Sequence, residues 1–392
     1  MRILHTSDWH LGRTFHGVDL TDAHRAFLDH LVTLAVDEQV DAVLVAGDVY
    51  DRAVPGPEAL ELLDRTADRL TEAGIHLVAT SGNHDSFMRL GHARKRLDAT
   101  GVHVRTRLSD IAWPTVLTAR SSSGSSPGTA DDFSVAVYGI PYLEPGLVHD
   151  RWGVARTHEA VLTAAMDRIR AHHSSHHPGA ALVVAAHAFV GGAQASESER
   201  DISVGSVGIA PLTVFSGADY VALGHLHRPQ ALAPTVRYSG SPLPYSFGEA
   251  AHPKSTVLVD ITGDAVSGYD VAASAIPLPQ FRPVRTLTGT LEDVLRTPVE
   301  PDALVEALLT DPVRVPAALG RLRAAFDGLI RYEWVQAGAH LPDSPGDRAA
   351  AHRRTETEVF RDFVREATGA GAGDALVTRF ESALVTARSE NR

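Results

Sequence analysis

The stretch IHLVATSGNHD (residues 75–85) joins an apolar run to four polar, turn-forming residues. The apolar part, residues 75–80, predicts a buried strand, and Gly82-Asn83-His84-Asp85 predicts the loop that leads into the next helix. Four further polar signatures follow apolar runs in the same way: Asp8-Trp9-His10, Gly47-Asp48, Ala186-His187 and Gly224-His225-Leu226-His227. Loops at the carboxyl ends of strands are where open α/β sheets bind ligands. The repeated arrangement therefore predicts a sheet that gathers these side chains at one edge.

Around these signatures, apolar runs alternate with helix-like segments through the first two-thirds of the chain. Residues 3–7 are predicted as a buried strand, and residues 22–38 as an amphipathic helix with Phe27, Leu31 and Leu34 on one face. Further strands are predicted at residues 42–46, 135–140, 181–186, 220–223, 236–239 and 256–260, and further helices at residues 57–73 and 86–99. This alternation indicates an α/β domain built in layers, with sheet inside and helices outside.

The sequence changes in character near residue 275, and we predict three regions: an α/β domain at residues 1–274, a smaller α+β unit at 275–341 and a C-terminal helical segment at 342–392. Within the second region, residues 277–287 are Pro-rich and extended, residues 300–327 are helix-prone and residues 329–336 are strand-like. The third region opens with a linker at 342–347, which precedes amphipathic segments at 348–367 and 373–390. These two segments either pack against this chain and each other or dock onto a partner.

Two low-complexity stretches interrupt the pattern. Residues 121–132 (SSSGSSPGTADD) are predicted as a flexible surface loop because Ser and Gly dominate their composition. Residues 172–178 (HHSSHHP) could bind a metal, but a polar loop after a helix is the prediction that we adopt.

Composition narrows the class of protein. The chain has 392 residues and no cysteine, which excludes disulfides, thiolate zinc sites and thiol catalysis. No signal-peptide pattern precedes the first strand, and no uncharged stretch approaches the roughly 18 apolar residues of a membrane span. We therefore expect a soluble, cytoplasmic protein without a membrane partner.

The net charge of −12 argues against a protein that coats nucleic acid by electrostatics alone. It leaves a DNA enzyme open, because metal ions supply positive charge where carboxylates bind them. Basic residues also cluster locally, at Arg89, Arg94, Lys95, Arg96, Arg105 and Arg107. This basic cluster is either a solvated helix face or a surface that contacts phosphates.

The polar signatures carry two Asp, one Asn and four His as candidate metal ligands, which are Asp8, His10, Asp48, Asn83, His187, His225 and His227. Oxygen and imidazole donors suit Mn²⁺, Fe²⁺ or Zn²⁺ better than a purely carboxylate site for Mg²⁺ or Ca²⁺. Two ions about 3.5–4 Å apart can activate one water and neutralise the charge that develops on a phosphoryl group. A carboxylate can reach both ions, and Asp48 is the best-placed candidate for that bridge.

Taken one by one, most of these signatures are weak. Asp-x-His and Gly-Asp are ordinary turns, and His187 alone would be a satisfied, partly buried histidine. Gly-Asn-His-Asp is stronger because four polar residues follow a strand and open a helix. In Gly-His-Leu-His, alternate residues of an extended segment place two imidazoles on one side. Their joint occurrence in this order predicts a two-metal site.

The five signatures together resemble those of the calcineurin-like metallophosphoesterase superfamily. Within it, the chain is similar to the nuclease subunits of bacterial exonucleases that work with an SMC-like ATPase. The motifs that carry this similarity are residues 7–12 (SDWHLG), 47–52 (GDVYDR), 138–142 (YGIPY), 196–200 (SESER), 224–230 (GHLHRPQ) and 238–242 (YSGSP). The similarity spans about residues 1–290 and is thinner beyond. It implies a layered β-sandwich flanked by helices, followed by a capping domain and the C-terminal helices.

The resemblance also implies roles for the site residues. The first metal takes Asp8, His10 and His227, the second takes Asn83, His187 and His225, and Asp48 is shared. His84 faces the scissile phosphate and stabilises or protonates the leaving oxygen. Asp85 orients His84, although both residues also fit a helix cap. Relatives outside bacteria often carry a His at the position of Asp51, so a second catalytic imidazole is not expected here.

The function that the resemblance implies is a Mn²⁺-dependent DNA nuclease, with Mg²⁺ and Zn²⁺ as alternatives. It would be a 3′-to-5′ exonuclease on double-stranded ends and an endonuclease on single strands and hairpins, in DNA repair, recombination and replication. The partners are DNA, an SMC-like ATPase docked through the C-terminal helices, and a second copy that contacts residues 58–69 and 87–97, giving a homodimer within a heterotetramer. The chain lacks the Gly-x-x-x-x-Gly-Lys phosphate loop, so ATP dependence must come from another subunit.

Two alternatives stay open at this point. The same metal chemistry would serve a phosphodiesterase or phosphatase that acts on small nucleotides. A protein of another class, a non-catalytic DNA-end tether with a vestigial metal site, would also keep the fold.

Overall fold

The computed structural model describes residues 1–118, 133–196, 209–335, 360–361, 373 and 376–380. Several predictions fall outside the described residues, wholly or in large part: the loop at 121–132, motif residues 197–200, the linker at 342–347 and most of the two C-terminal amphipathic segments. Among the described residues, no helix is both long and apolar enough to cross a membrane.

Within the described residues, strands occur at intervals between residue 2 and residue 334. In chain order they are β1 Arg2–Thr6, β2 Thr14–Phe15, β3 Val18–Asp19, β4 Ala42–Ala46, β5 His76–Thr80, β6 Val102–Arg105, β7 Thr115–Thr118, β8 Ser134–Ile140, β9 Ala180–His187, β10 Tyr220–Gly224, β11 Gln230–Ala233, β12 Val236–Tyr238, β13 Ser255–Asp264, β14 Gly268–Pro277, β15 Val284–Gly289, β16 Leu304–Leu309 and β17 Leu329–Trp334. Up to residue 335, the α-helices of the described residues are α1 Thr21–Asp37, α2 Pro57–Glu72, α3 Phe87–Leu90, α4 Arg94–Leu97, α5 Pro145–Trp152, α6 His158–His176, α7 Leu291–Arg296 and α8 Ala318–Ala325.

Two six-stranded sheets form the body of the molecule. Their orders are β14-β13-β1-β4-β5-β6 and β11-β12-β10-β9-β8-β7. The sheets pack face to face, since Ile3 and Val78 of the first share a buried cluster with Val183 and Ala222 of the second. Helices α1 and α2 cover the outer face of the first sheet, and α6 covers that of the second. The α/β layered sandwich predicted from the sequence is confirmed.

Parallel pairing decides where the polar signatures meet. β1, β4, β5 and β6 run parallel in the first sheet, and β8, β9 and β10 run parallel in the second. Every residue of Ala42–Ala46 is buried, as expected for a central strand covered on both faces. At the carboxyl end of β10, a Cβ on Gly224 would lie 1.8 Å from the carbonyl oxygen of Ala46. Glycine there lets the two sheets approach closely, which brings their strand-end loops together.

The helix predicted at residues 86–99 is broken in the structure. Its α-helical parts are α3 and α4, followed by a 3₁₀ turn at Asp98–Thr100, and Ala93 between α3 and α4 has φ of 54°. A Cβ on Gly91 would lie 2.2 Å from the hydroxyl oxygen of Thr106. The segment therefore bends to pack against the end of β6, and this tertiary contact overrides the helical pattern.

The loop predicted at residues 172–178 is also wrong, because α6 continues to His176. Nδ1 of His176 lies 3.1 Å from the carbonyl oxygen of His172, and the hydroxyl of Ser175 donates to the carbonyl oxygen of Ala171. Side chains in the last turn of α6 therefore make hydrogen bonds to backbone carbonyl oxygens of the helix. In a loop, those oxygens would have been left to bind water.

The helix-prone region at residues 300–327 is largely mispredicted, since it contains β16 before α8. β16 is the central strand of a three-stranded parallel sheet, β15-β16-β17, which has its own buried cluster around Val305, Ala307 and Leu322. Burial on both faces favours the strand over helical propensity. The three predicted regions stay predictions, although the boundary after residue 274 falls inside β14, which pairs with β13 as far as Pro277.

A few residues of the C-terminal amphipathic segments are described. The rings of Phe360 and Phe380 stack with centroids 4.0 Å apart, and Val377 is buried. These contacts show that the two segments touch each other at Phe360 and Phe380, and docking of the segments onto a partner stays a prediction.

Candidate metal centre

The strand-end loops hold their polar residues in unusual backbone conformations. Asp8, His10, Asp48 and His225 all have positive φ, between 45° and 105°. Such a conformation costs a non-glycine residue roughly 1–3 kcal/mol and is typical of functional sites. The backbone is therefore locally strained at these four residues, and this conformation sets the direction of their side chains.

Two glycines make room for the same side chains. A Cβ on Gly82 would lie 2.1 Å from Oδ1 of Asp48, and a Cβ on Gly47 would lie 2.3 Å from Nδ1 of His187. Gly47 also has φ of 88°. Glycine at these positions lets backbone pass directly beside the polar groups.

One group of donors consists of Asp8, His10 and His227, whose ligand atoms lie within 4.8 Å of one another. Nε2 of His10 lies 3.2 Å from Nε2 of His227. The carboxylate of Asp8 also accepts the backbone N–H of His225, at 3.0 Å to Oδ1. This hydrogen bond ties the loop after β1 to the loop after β10.

A second group lies at the ends of β4, β5, β9 and β10. Nε2 of His187 lies 2.9 Å from Oδ1 of Asn83 and 3.4 Å from Oδ2 of Asp48. Nδ1 of His225 lies 3.3 Å from the same oxygen of Asn83. Nδ1 of His187 donates to the carbonyl oxygen of Ala46 at 3.0 Å, because that oxygen can only accept. Nε2 of His187 consequently faces the cluster, and in the neutral ring it is the nitrogen whose lone pair a metal would bind.

Asp48 lies between the two groups. Its Oδ2 is 3.6 Å from Nε2 of His10 and 3.4 Å from Nε2 of His187. Its Oδ1 accepts the backbone N–H of His84 at 2.8 Å, which fixes the orientation of the carboxylate. Asp48 thus faces one imidazole of each group, and its bridging role stays a prediction.

Burial and close charges shift the pKa values of the Asp and His side chains in this cluster. The six Asp and His side chains of the two groups are 0–4% exposed. Burial raises the pKa of Asp8 to about 6 and lowers that of His10 to about 3. Burial would also lower the pKa of His187, but the carboxylate of Asp48 outweighs it and raises that pKa to about 9. The same pairing holds the pKa of Asp48 well below its usual range, against the opposing effect of burial.

The donor chemistry fits divalent cations. Two buried carboxylates, an amide oxygen and four imidazoles converge without a Lys or Arg among them. Their oxygen and nitrogen atoms are the ligands that Mn²⁺, Fe²⁺ and Zn²⁺ accept. The cluster can therefore hold a divalent metal. Its donor atoms lie on both sides of Asp48 and so form two groups of ligands.

His84 lies at the rim of the cluster, with a side chain that is 9% exposed. Its ring packs edge-on against that of His10, with centroids 4.6 Å apart. A donor atom of His84 also lies within 4.8 Å of donors on His10 and Asp48. Nδ1 of His84 donates to the backbone carbonyl oxygen of Asp51 at 2.8 Å. Nε2 is therefore the ring nitrogen that can act on a substrate.

Asp85 is placed differently from its predicted role. Its carboxylate accepts three backbone N–H groups, those of Val49 and Gly82 at Oδ2 and that of Tyr50 at Oδ1. Asp85 thus fastens the loop after β4 to the loop after β5. The group found at Nδ1 of His84 is the carbonyl oxygen of Asp51, so the orienting contact comes from Asp51, as a correction to the sequence-based assignment.

Sequence reasoning missed the groups that hold the ligands in place. The carboxylate of Asp51 lies 3.5 Å from Nδ1 of His10, and that of Glu249 lies 3.4 Å from Nδ1 of His227. The hydroxyl of Tyr245 donates to the carbonyl oxygen of Trp9 at 2.5 Å. The available signal was the presence of charged residues in the apolar segment at 241–254. No periodicity connects these charged residues with the site, so the sequence did not indicate their role.

The basic cluster is partly used within the fold. Arg94 pairs with Asp110 at 3.0 Å, and Arg105, which is 1% exposed, pairs with Asp98 at 2.9 Å. Lys95 and Arg96 lie on the surface. Neither of the two interpretations describes the whole cluster, since Arg94 and Arg105 stabilise the segments on either side of β6.

Comparison with known families and proteins adds to this geometry. A family model described as calcineurin-like phosphoesterase matches residues 1–229, which is more than half of the chain. A second, described as type 5 capsule protein repressor C-terminal domain, matches residues 280–368.

Among curated proteins, several similar chains are named as the SbcD component of the nuclease SbcCD. The one from Rhodobacter capsulatus is 37% identical over 75% of this chain and 74% of its own. The one from Escherichia coli is 33% identical over 75% of this chain and 72% of its own. The one from Staphylococcus saprophyticus is 31% identical over 76% of this chain and 75% of its own.

Proposed function

The chain belongs to the calcineurin-like phosphoesterase family, and we propose that it is the metal-dependent nuclease subunit of an SbcCD-type complex. The observation that carries the proposal is the position of Asp48, whose Oδ2 faces one imidazole from each group of donors. Two divalent ions that share a carboxylate are suited to hydrolysis of phosphodiesters.

We assign the ligands as the resemblance implies. Asp8, His10 and His227 hold the first ion, Asn83, His187 and His225 hold the second, and Asp48 is shared. Mn²⁺ is the metal that we propose, because a mixed oxygen and imidazole set suits it better than Mg²⁺. When bound, the ions supply an activated water and neutralise charge on the phosphoryl group.

His84 is proposed to act on the leaving oxygen. Its Nδ1–H is committed to the carbonyl oxygen of Asp51, so in the imidazolium form Nε2 carries a transferable proton. Its position at the rim lets it reach a substrate while it packs against His10. Asp85 supports the same step only indirectly, by holding the loop that carries His84.

The proposed partners follow the relatives. An SbcC-type, SMC-like ATPase would bind the C-terminal helices, and DNA would be the substrate. A homodimer is proposed through α2 and the α3 region, where Phe87 and Met88 are each 53% exposed and Leu60 is 49% exposed. Apolar side chains exposed on two neighbouring helices are typical of an interface. The cytoplasmic location stays part of this proposal.

The test is a cleavage assay on hairpin and blunt-ended DNA with Mn²⁺, Mg²⁺ or Zn²⁺, with and without the SbcC-type ATPase. We expect Mn²⁺-dependent cleavage of both DNAs and dependence on ATP only when the ATPase is present. Cyclic and mononucleotide phosphoesters are assayed in parallel. Activity confined to these small substrates would instead identify the chain as a small-nucleotide phosphodiesterase, and DNA binding without any cleavage would favour the tether.

A further inference from the structure

A buried ion pair lies behind the proposed ligand His227. Glu249 is 0% exposed and Lys254 is 8% exposed. Oε1 of Glu249 lies 3.4 Å from Nδ1 of His227, on the opposite side of the ring from the nitrogen that faces His10. Oε2 of Glu249 lies 2.5 Å from Nζ of Lys254.

Lys254 has one hydrogen-bond acceptor for each of the three protons of its ammonium group. Nζ donates to Oε2 of Glu249, to the hydroxyl oxygen of Ser241 at 2.9 Å and to the backbone carbonyl oxygen of His227 at 3.1 Å. An ammonium group has three donors and no acceptor. Lys254 therefore keeps Glu249 as an acceptor and holds the backbone of His227 through the same group.

This arrangement determines which ring nitrogen of His227 carries the hydrogen. A carboxylate without a proton can only accept, so Nδ1 of His227 carries the hydrogen and Nε2 carries the lone pair. If Glu249 were a neutral acid, its hydroxyl could donate to Nδ1, and Nε2 would then bear a hydrogen and could not bind a metal. The ion pair with Lys254 opposes that second arrangement.

We propose that Glu249 and Lys254 are a positioning pair that keeps Nε2 of His227 ready for the first metal ion and so sets the affinity for that ion. The inference rests on the proposed metal-dependent function. The corresponding contact of His187, a proposed ligand of the second ion, is a neutral backbone carbonyl at 3.0 Å. Loss of the pair should therefore weaken one ion and leave the other nearly unchanged.

The test compares Mn²⁺ binding to the metal-free full-length protein by calorimetric titration. The main variant is E249Q/K254M, which removes both charges together and leaves neither buried charge unpaired. We expect it to unfold in EDTA at a temperature close to that of the parent, while the affinity for one Mn²⁺ falls about 10- to 100-fold. D110N/R94M is the matched control, because it removes another buried carboxylate–cation pair outside the site. It should bind both ions as the parent does.

Two single variants keep the inference testable if the double variant does not fold. E249D retains a carboxylate for Lys254 but withdraws it from His227, and it should lose affinity for one ion. K254R retains the cation and should keep parental affinity. Parental affinity for both ions in E249Q/K254M or E249D would overturn the positioning role. Absence of Mn²⁺ binding by the parent would instead overturn the proposed function.

Discussion

Nε2 of His10 and Nε2 of His227 face each other at 3.2 Å, in a pocket that also contains the carboxylate of Asp8. Two imidazole lone pairs at this distance repel each other unless a proton or a cation lies between them. Because both rings are almost fully buried, water cannot relieve the repulsion. In the metal-free protein a single proton between the two nitrogens makes the contact a hydrogen bond, and a bound cation would take its place.

Substitution of Asp8 by Asn should separate stability from metal binding. In the metal-free fold, burial raises the pKa of Asp8 from 3.8 to about 6. Stability from this group is complete below pH 4 and is lost as the pH rises through 6, because the unfolded state ionises first. At pH 7.5 in EDTA, D8N should therefore be more stable than the parent by about 1–3 kcal/mol.

The measurement is urea unfolding with EDTA and with excess Mn²⁺. With the metal, the parent should gain about 2.7 kcal/mol at a concentration of 100 Kd, whereas D8N should gain much less. A D8N protein that is less stable than the parent in EDTA would show that Asp8 stabilises the fold without a metal.

Gly224 should be required for the joint between the two sheets. Alanine there would place Cβ 1.8 Å from the carbonyl oxygen of Ala46 and 3.0 Å from Cβ of Ser7. The backbone must shift, so we expect a loss of about 1–3 kcal/mol in unfolding free energy and weaker Mn²⁺ binding through His225. G320A is the control, because no atom lies within 4 Å of that Cβ in α8. It should be neutral or stabilise by about 0.5–1 kcal/mol.

Much of the fold could be predicted because local pattern and burial agree. The strand Ala42–Ala46 was predicted with the bounds found in the structure, since a short apolar run between polar turns has few alternatives. The polar residues after such strands could be grouped for a related reason, as parallel strands bring their carboxyl ends to one edge of a sheet. That the site combines the ends of β1, β4 and β5 in one sheet with those of β9 and β10 in the other could not be predicted in this way.

The remaining features depend on contacts that periodicity does not record. β16 lies in a region with helical composition, and only its position between β15 and β17 makes it a strand. In the site, the orienting partner of His84 is a backbone carbonyl, which any residue at position 51 supplies. Asp85 and Glu249 are both acidic, yet their different roles follow from what lies opposite each carboxylate.

Replacement of His84 by Ala should lower DNA cleavage without removing the metals. Loss of a general acid typically costs 10²–10⁴-fold in rate, and we expect a decrease in that range at saturating Mn²⁺. Mn²⁺ affinity should stay within about twofold of the parent by calorimetry, because His84 is not among the proposed ligands. His92, an exposed neighbour in sequence, provides the control variant H92A. A large loss of Mn²⁺ affinity in H84A would identify His84 as a ligand, which its proximity to Asp48 permits.

His5 should make the fold sensitive to mild acid. It lies buried between the sheets, where Nδ1 contacts the hydroxyl of Tyr220 at 2.9 Å and Nε2 faces the carbonyl oxygen of Leu223 at 3.2 Å. Nε2–H donates to that carbonyl, so Nδ1 accepts from Tyr220 and the ring is neutral. Burial lowers the pKa of His5 from 6.5 to about 3. Its contribution to stability is thus complete above pH 6.5 and is lost progressively as the pH falls towards 3.

Between pH 7 and pH 5, this one group should reduce the unfolding free energy by about 2 kcal/mol. The measurement is urea unfolding in EDTA at several pH values, for the parent and for H5Q, whose side chain does not titrate. H5Q will be less stable at pH 7, but its stability should decline less on acidification, by about the same 2 kcal/mol. Parallel pH profiles for the two proteins would mean that His5 is protonated as easily in the folded protein as in the unfolded chain.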